Sequence, residues 1–207
     1  MTAQDKVALR QQLKADRQTL VVPQFASAAI GWLTSYVDRE GDPSVLAAFQ
    51  PTPTEPDITG FLRCLVRIAP STTVLIPRPV GGEALEWVVA AKGQLEERPV
   101  GIPRPQGQTA GLSAAPFRSV GSIVLVPALA IDPSTGLRLG YGGGYYDRLL
   151  SELRAGRITA DADSGPDPLI IGVCFERECR AVPAQEHDEP VTHIMTEAGV
   201  KPVRAPR

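Results

Sequence analysis

The chain has few residues of the types that bind zinc or form disulfides, since its 207 residues include three cysteines and two histidines. Three cysteines cannot all be paired, and Cys64, Cys174 and Cys179 lack the paired spacing of zinc sites. We therefore interpret them as reduced thiols with a structural role. His187 and His193 could hold zinc only with further ligands, and no arrangement of Cys or Glu supports such a site.

The chain also lacks a large excess of either charge and a long apolar run. Its formal net charge is −2 at pH 7, whereas a general nucleic-acid binder is usually clearly basic. No apolar run reaches the roughly 18 residues that span a bilayer, and the first residues are polar and charged, unlike a signal peptide. These absences predict a cytoplasmic protein with no nucleic-acid or membrane partner.

Proline and glycine, which favour turns and loops, are abundant. There are 20 prolines and 19 glycines, which predicts many short connections between helices and strands. Apolar residues make up 43% and charged residues 21%, as in an ordinary globular protein. The length suits one domain with a substantial core. We expect a single domain over 1–207, with a flexible insertion at 156–168 and a loose tail at 198–207.

Helical patterns alternate with apolar strand patterns along the chain. Helices are predicted for 3–20, 24–39, 56–69 and 144–154, strands for 45–49, 72–76, 85–90 (as an edge strand), 122–126 and 169–175, and a loop for 99–118. The alternation predicts an α/β sandwich around a largely parallel sheet. In such sheets, ligands bind beyond the carboxyl ends of the strands.

The glycine-rich segment 140–144 is the strongest functional signal. Four of its five residues are glycine, an apolar strand precedes it, and an amphipathic segment follows. A loop this bare lets backbone N–H groups approach an anion closely, and phosphate is the commonest such anion. It is neither a dinucleotide fingerprint nor a P-loop. A tight turn without a ligand is the alternative, but Asp147 is well placed to hold a metal beside a phosphate.

Four basic residues share one face of the first predicted helix. Lys6, Arg10, Lys14 and Arg17 follow one another at intervals of four, four and three residues, which places them on the same side. Taken alone, this pattern favours a solvated basic stripe.

A longer pattern surrounds the glycine-rich segment. Residues 127–132 are Pro-Ala-Leu-Ala-Ile-Asp, and residues 138–147 are Arg-Leu-Gly-Tyr-Gly-Gly-Gly-Tyr-Tyr-Asp. The pattern resembles the signature of the 5-formyltetrahydrofolate cyclo-ligases, also called methenyltetrahydrofolate synthetases, except that Tyr141 stands where that family usually has arginine. The resemblance extends to the Lys-Val-Ala-Leu-Arg segment at 6–10 and to the His-Asp pair at 187–188.

The resemblance implies both a fold and a reaction. The fold would be the three-layer α/β/α Rossmann-like sandwich of the sugar-phosphate isomerase and coenzyme A transferase type. The reaction would be the ATP- and Mg²⁺-dependent conversion of 5-formyltetrahydrofolate to 5,10-methenyltetrahydrofolate, with release of ADP and phosphate. We expect a monomer that acts on these small molecules.

The resemblance also implies roles for individual residues. It implies catalysis by Arg138, Tyr145 and Asp147. It implies ATP binding by Lys6, Arg10, Arg138, Leu139, Gly140, Tyr141, Gly142, Gly143, Gly144, Tyr145 and Tyr146. It implies substrate binding by Gln50, Glu55, Tyr141, Gly142, Gly143, Gly144 and Tyr145, and metal binding by Asp147 and Asp188. We still interpret Lys14 and Arg17 as residues of a solvated helix face.

The tyrosine at position 141 leaves alternatives open. In a cyclo-ligase, Arg78 or Arg104 would supply the missing arginine charge. Otherwise the chain is a noncatalytic or divergent folate- or nucleotide-binding relative, or a sugar-phosphate isomerase on the same fold. An isomerase would need an acid–base pair in place of Asp147 with Asp188 and the basic first helix.

Overall fold

The computed structural model describes residues 3–20, 26–82, 84–91, 95, 107–117, 121–158 and 167–203. The helices are α1 (Ala3–Gln18), α2 (Ala26–Glu40), α3 (Thr59–Ile68) and α4 (Tyr145–Ile158). The strands are β1 (Val45–Ala47), β2 (Thr73–Val80), β3 (Ala84–Val89), β4 (Thr109–Leu112), β5 (Ser122–Pro127), β6 (Ala130–Ile131), β7 (Arg138–Leu139), β8 (Leu169–Val173), β9 (His193–Thr196) and β10 (Gly199–Pro202). No helix in this described part is long and apolar enough to cross a membrane.

The described strands form one large sheet and one small hairpin. The large sheet has the order β10-β9-β8-β5-β1-β2-β3-β4. Its neighbours from β9 to β2 are parallel, whereas β10, β3 and β4 pair antiparallel at the two sides. Strands β6 and β7 pair with each other. The predicted α/β class with a largely parallel sheet is confirmed.

Helices cover both faces of the large sheet. Ile123 and Leu125 of β5 lie in the core shared with α2 and α3, whereas Val124 and Val126 lie in the core shared with α4. This alternation follows from the two-residue period of a strand. In α3, the apolar side that the spacing predicts, from Ile58 to Val66, is buried. The result is a three-layer α/β/α sandwich.

Helix α1 packs outside these layers, against the small hairpin. Leu13 is buried in a third cluster with Leu129, Leu139 and Val182. Because Leu139 ends β7, this packing holds α1 beside the glycine-rich segment that follows.

The side of the sheet formed by β2, β3 and β4 differs from the prediction. Strand β2 continues past Pro77 to Val80, because β1 pairs with it only as far as Leu75 and β3 pairs with the rest. A proline is tolerated where a strand has lost one neighbour. The predicted edge strand β3 is interior, since residues 109–112 of the predicted loop form β4 beside it.

Two segments predicted to be loose are partly ordered. Gly199–Pro202, within the expected tail, forms β10 and pairs with β9, which satisfies the backbone groups of that strand's free edge. Helix α4 extends to Ile158, into the expected insertion at 156–168. Residues 159–166 and 204–207 lie outside the described residues.

Candidate active site

A cleft of about 640 Å³ opens beside the glycine-rich segment, a volume suited to a nucleotide-sized ligand. Pro127, at the carboxyl end of the central strand β5, forms part of its wall, so the cleft lies where this fold class binds ligands. The predicted site residues that line it are Lys6, Arg10, Arg138, Gly140, Tyr141, Gly142, Gly143, Gly144, Tyr145, Tyr146, Asp147 and Asp188.

The glycine-rich segment needs its glycines for backbone conformation. Gly142 and Gly144 have φ values of +109° and +69°, in the left-handed region that other residues rarely adopt. Helix α4 begins directly afterwards, at Tyr145. Its first backbone N–H groups have no partner within the helix and carry its positive partial charge. The segment and the helix terminus together form a site suited to an anion.

Lys6 joins α1 to the segment 185–189. It is 3% exposed, and its Nζ donates to both oxygens of Asp188 at 2.6 and 2.5 Å and to Oε1 of Gln185 at 3.0 Å. The backbone N–H of Gln185 donates to the same carboxylate at 2.6 Å. The charges of Lys6 and Asp188 therefore compensate each other. In this structure, Lys6 is therefore held in an ion pair and is not an unpaired lysine facing a phosphate site.

Arg10 lines the cleft and keeps hydrogen-bond donors available there. Its Nε donates to the carbonyl oxygen of Gly140 at 2.9 Å. Its remaining guanidinium N–H groups have no partner among the described residues, and it lines the cleft. Arg10 thus presents uncompensated positive charge beside the glycine-rich segment.

Arg138 and Asp147 form a second ion pair in the cleft wall. Nη2 of Arg138 donates to Oδ1 of Asp147 at 2.8 Å, and Nη1 donates to the carbonyl oxygen of Glu189 at 2.5 Å. Burial lowers the pKa of Arg138, while the charges of Asp147 and then Asp188 act in the opposite direction. The guanidinium stays protonated in proteins, and it therefore lies in the electrostatic field of both carboxylates.

The donor set permits a magnesium ion at Asp147. Magnesium is usually held by one or two carboxylates together with substrate phosphates and water. The side chain of Asp147 is 29% exposed, and its Oδ2 has no partner among the described residues. Asp188 is 6% exposed and both its oxygens accept from Lys6. The residues present fit magnesium at Asp147, while Asp188 could join only after Lys6 releases it.

No group of three or more His, Cys, Asp or Glu side chains that could enclose a metal occurs among the described residues. This result gives no support to the alternative in which His187 and His193 bind zinc.

The interpretation of Arg17 as a solvated residue is wrong. Arg17 is 2% exposed, and its Nε and Nη2 donate to the two oxygens of Glu178 at 2.8 and 2.7 Å. Nη2 also donates to the carbonyl oxygen of Ala128 at 2.7 Å. Burial disfavours the charge, but the hydrogen bonds and charge of Glu178 outweigh it and raise the pKa of Arg17. Lys14 is exposed, as the solvated interpretation predicts.

Two cations of α1 approach Tyr141, the position where the resembling family usually has arginine. Nη1 of Arg17 donates to the Tyr141 hydroxyl at 2.5 Å, and Nζ of Lys14 lies 5.3 Å from its ring centroid. Arg78 instead pairs with Glu86 across β2 and β3 and does not line the cleft. Arg104 lies outside the described residues. The first helix, rather than Arg78, therefore brings cations to this position.

Two of the residues implied for substrate binding, Gln50 and Glu55, do not line the cleft. Glu55 is 7% exposed, and its Oε2 accepts from the backbone N–H of Thr52 at 2.6 Å. Burial, followed by the charge of Glu55, raises the pKa of both Tyr141 and Tyr146. Glu55 therefore lies near the two tyrosines, both of which line the cleft. Gln50 is half-buried in the segment after β1.

Arg148 lines the cleft without being among the predicted site residues. Its Nη2 donates to the carbonyl oxygen of Gly143 at 3.0 Å, and its guanidinium carbon lies 5.2 Å from the ring centroid of Tyr145. Its position in the first turn of α4, directly after the glycines, is the sequence signal that could have found it. Gln185 had no comparable local signal, because its partner Lys6 is 179 positions away.

Comparisons with known proteins agree on one family. The sequence profile of the 5-formyltetrahydrofolate cyclo-ligase family matches residues 2–197. A 5-formyltetrahydrofolate cyclo-ligase from Mycolicibacterium smegmatis is 30% identical over 212 aligned positions that cover 95% of each chain. One from Saccharomyces cerevisiae is 36% identical over 67 positions, 32% of this chain and 29% of that protein.

A solved structure has the same fold. It is that of a 5,10-methenyltetrahydrofolate synthetase from Mycoplasma pneumoniae, with a TM-score of 0.65 over 93% of this chain and 99% of that chain. The two sequences are 17% identical, so this likeness concerns the fold alone.

Proposed function

Because the chain belongs to the 5-formyltetrahydrofolate cyclo-ligase family, we propose that it uses ATP and Mg²⁺ to convert 5-formyltetrahydrofolate to 5,10-methenyltetrahydrofolate, ADP and phosphate. Membership of the family indicates cyclo-ligase activity. The use of ATP and Mg²⁺ and the identity of the products are what we propose in addition. The observation that carries the proposal is a shared cleft in which the glycine-rich segment, Arg10 and Asp147 meet. Phosphoryl transfer requires such a combination of anion-binding backbone, positive charge and a metal-binding carboxylate.

The proposed chemistry solves the problem of a poor leaving group. The formyl oxygen of the substrate attacks the γ-phosphorus of ATP, so that an O–P bond forms and ADP leaves. N10 then attacks the activated formyl carbon and loses its proton. The C–O bond breaks, and the formyl oxygen departs as part of inorganic phosphate. ATP thus converts an oxygen that cannot leave into one that can.

We assign binding and positioning to residues of the cleft. Backbone N–H groups of 142–144 and of the start of α4 would bind the phosphates, and the available donors of Arg10 would neutralise their charge. Arg138 holds Asp147 in place through its hydrogen bond. Magnesium bound at Asp147 would supply positive charge to the phosphate oxygens. Tyr145 lines the cleft and would contact the substrate from one side.

The direct test is formation of the methenyl product by purified protein, followed by its near-ultraviolet absorbance. We expect product only when 5-formyltetrahydrofolate, ATP and a divalent cation are all present. Turnover without ATP, or none under any tested condition, would contradict the proposal. Substrate labelled with ¹⁸O in the formyl group tests the order of steps, since the label should appear in inorganic phosphate and not in water.

Thermal-shift measurements separate the proposal from its alternatives. A ligand that binds the folded state raises the melting temperature by mass action. We expect stabilisation by ATP with Mg²⁺ and by 5-formyltetrahydrofolate, and none by sugar phosphates. Stabilisation by folate without turnover would favour a noncatalytic relative. We also propose that the protein is a cytoplasmic monomer.

A further inference from the structure

Two cysteine thiols meet across the short turn that carries Glu178. Cys174 directly follows β8, Cys179 directly follows the 3₁₀ turn Glu176–Glu178, and their sulfur atoms lie 4.0 Å apart. Both are free thiols. Neither has a role in the proposed reaction.

The backbone is fixed on both sides of this thiol pair. The N–H of Cys174 donates to the carbonyl of Met195 at 3.2 Å, and that of Cys179 donates to the carbonyl of Glu176 at 3.1 Å. Cys179 also forms a β-bridge with Ile131. A disulfide needs a sulfur–sulfur distance of about 2.05 Å, so rotation of the side chains with a small shift of the turn would join the two atoms.

The two thiols differ in their access to solvent. Cys174 is fully buried, whereas Cys179 is only half-buried, so a small oxidant reaches Cys179 first. The hydrogen bond with Cys174 lowers the pKa of Cys179, while the same bond and burial raise the pKa of Cys174. A partly accessible thiol of lowered pKa beside a second thiol is the arrangement found at redox-sensitive cysteines.

We propose that Cys174 and Cys179 form an oxidisable dithiol, which low-molecular-weight disulfides convert to an intramolecular disulfide. The Cys179 thiolate attacks one sulfur of the small disulfide, which forms a mixed disulfide and releases one thiolate. The Cys174 thiol then attacks the Cys179 sulfur, and the second small thiol leaves with the proton from Cys174. Two protein thiols are oxidised, and one small disulfide is reduced to two thiols.

The turn between the thiols connects this site to the cleft. Glu178 accepts hydrogen bonds from the backbone N–H of Phe175 at 2.9 Å and from Arg17. Arg17 in turn donates to the hydroxyl of Tyr141, which lines the cleft. A shift of the turn therefore disturbs the contact between α1 and the glycine-rich segment. This consequence for activity rests on the proposed cyclo-ligase function, whereas formation of the disulfide does not.

The test treats the native chain with oxidised glutathione, blocks remaining thiols by alkylation and maps the peptides by mass spectrometry. We expect a Cys174–Cys179 disulfide with Cys64 alkylated. Cys174→Ser should stop at a glutathione adduct on Cys179, and Cys179→Ser should give no adduct at either position. A pair that stays reduced, or an adduct that forms first on Cys64, would overturn the proposal.

Activity supplies the second readout. Oxidised wild-type protein should lose about two- to tenfold in turnover, the effect of weakening one hydrogen bond, and dithiothreitol should restore it. The control Cys64→Ser should respond as the wild type does. A mapped disulfide with unchanged turnover would overturn the connection to the cleft. If reduced protein has no turnover at all, the proposed function fails, and the peptide map still decides whether the dithiol exists.

Discussion

Replacement of Arg17 by methionine tests the most consequential contact of α1. The substitution removes the guanidinium and keeps most of the apolar stem. The guanidinium makes hydrogen bonds of 2.8 and 2.7 Å to Glu178, 2.7 Å to the Ala128 carbonyl and 2.5 Å to the Tyr141 hydroxyl. The side chains of Arg17 and Glu178 are each 1% exposed. Arg17→Met therefore leaves a buried carboxylate without its countercharge.

Loss of one partner from a buried ion pair costs about 3–5 kcal/mol, out of a total stability of about 5–15 kcal/mol for a typical domain. We expect a decrease of that size in the free energy of unfolding, measured by urea denaturation. Lys14→Met is the matched control, because Lys14 is exposed on the same helix. It should change the free energy of unfolding by less than about 0.5 kcal/mol.

A double variant identifies the cause of the loss. Glu178→Gln in the Arg17→Met background removes the unpaired charge and keeps an acceptor for the N–H of Phe175. It should recover about 1–3 kcal/mol, the cost of an unsatisfied buried group. The reasoning is refuted if Arg17→Met costs less than about 1 kcal/mol, or if the double variant is no more stable than the single one.

Four further predictions concern the cleft and its surroundings. Arg10→Ala should raise the KM for ATP about tenfold or more, whereas Lys14→Ala should leave it nearly unchanged. Equal effects would indicate that the basic helix acts through its general electrostatic field and not through a direct contact of Arg10. Asp147→Asn should raise the Mg²⁺ concentration needed for half-maximal activity, and an unchanged titration would exclude Asp147 as a ligand. Tyr141→Arg should alter turnover by less than about tenfold, because cations already lie there; a gain of about a hundredfold would show that the charge was missing. Alkylation of Cys179 should have its pH midpoint below that of a small model thiol, because a hydrogen bond with Cys174 lowers the pKa of Cys179 and its thiolate persists at lower pH; a midpoint at or above that of the model thiol would contradict the lowered pKa.

The outline of the fold could be predicted because it depends on local patterns. The continuous apolar run of β5 indicated a strand buried on both faces, and the spacing from Ile58 to Val66 indicated the buried side of α3. The glycines at 140–144 similarly indicated a bare turn before a helix. The edge strands β4 and β10 could not be predicted, because their short segments carry little apolar pattern and depend on a neighbour with a free edge.

The charge network around the cleft was decided by tertiary structure alone. Lys6 and Arg17 have the same spacing on α1 that a solvated stripe would have, yet their partners lie 182 and 161 positions away. A sequence gives the position of a charge on a helix, but not the carboxylate that packing brings against it. Burial then decides the outcome, since a charge removed from water is stable only beside its countercharge. The sequence by itself therefore determined the fold class and the glycine-rich turn before α4, whereas tertiary packing decided which cations are compensated and which remain available.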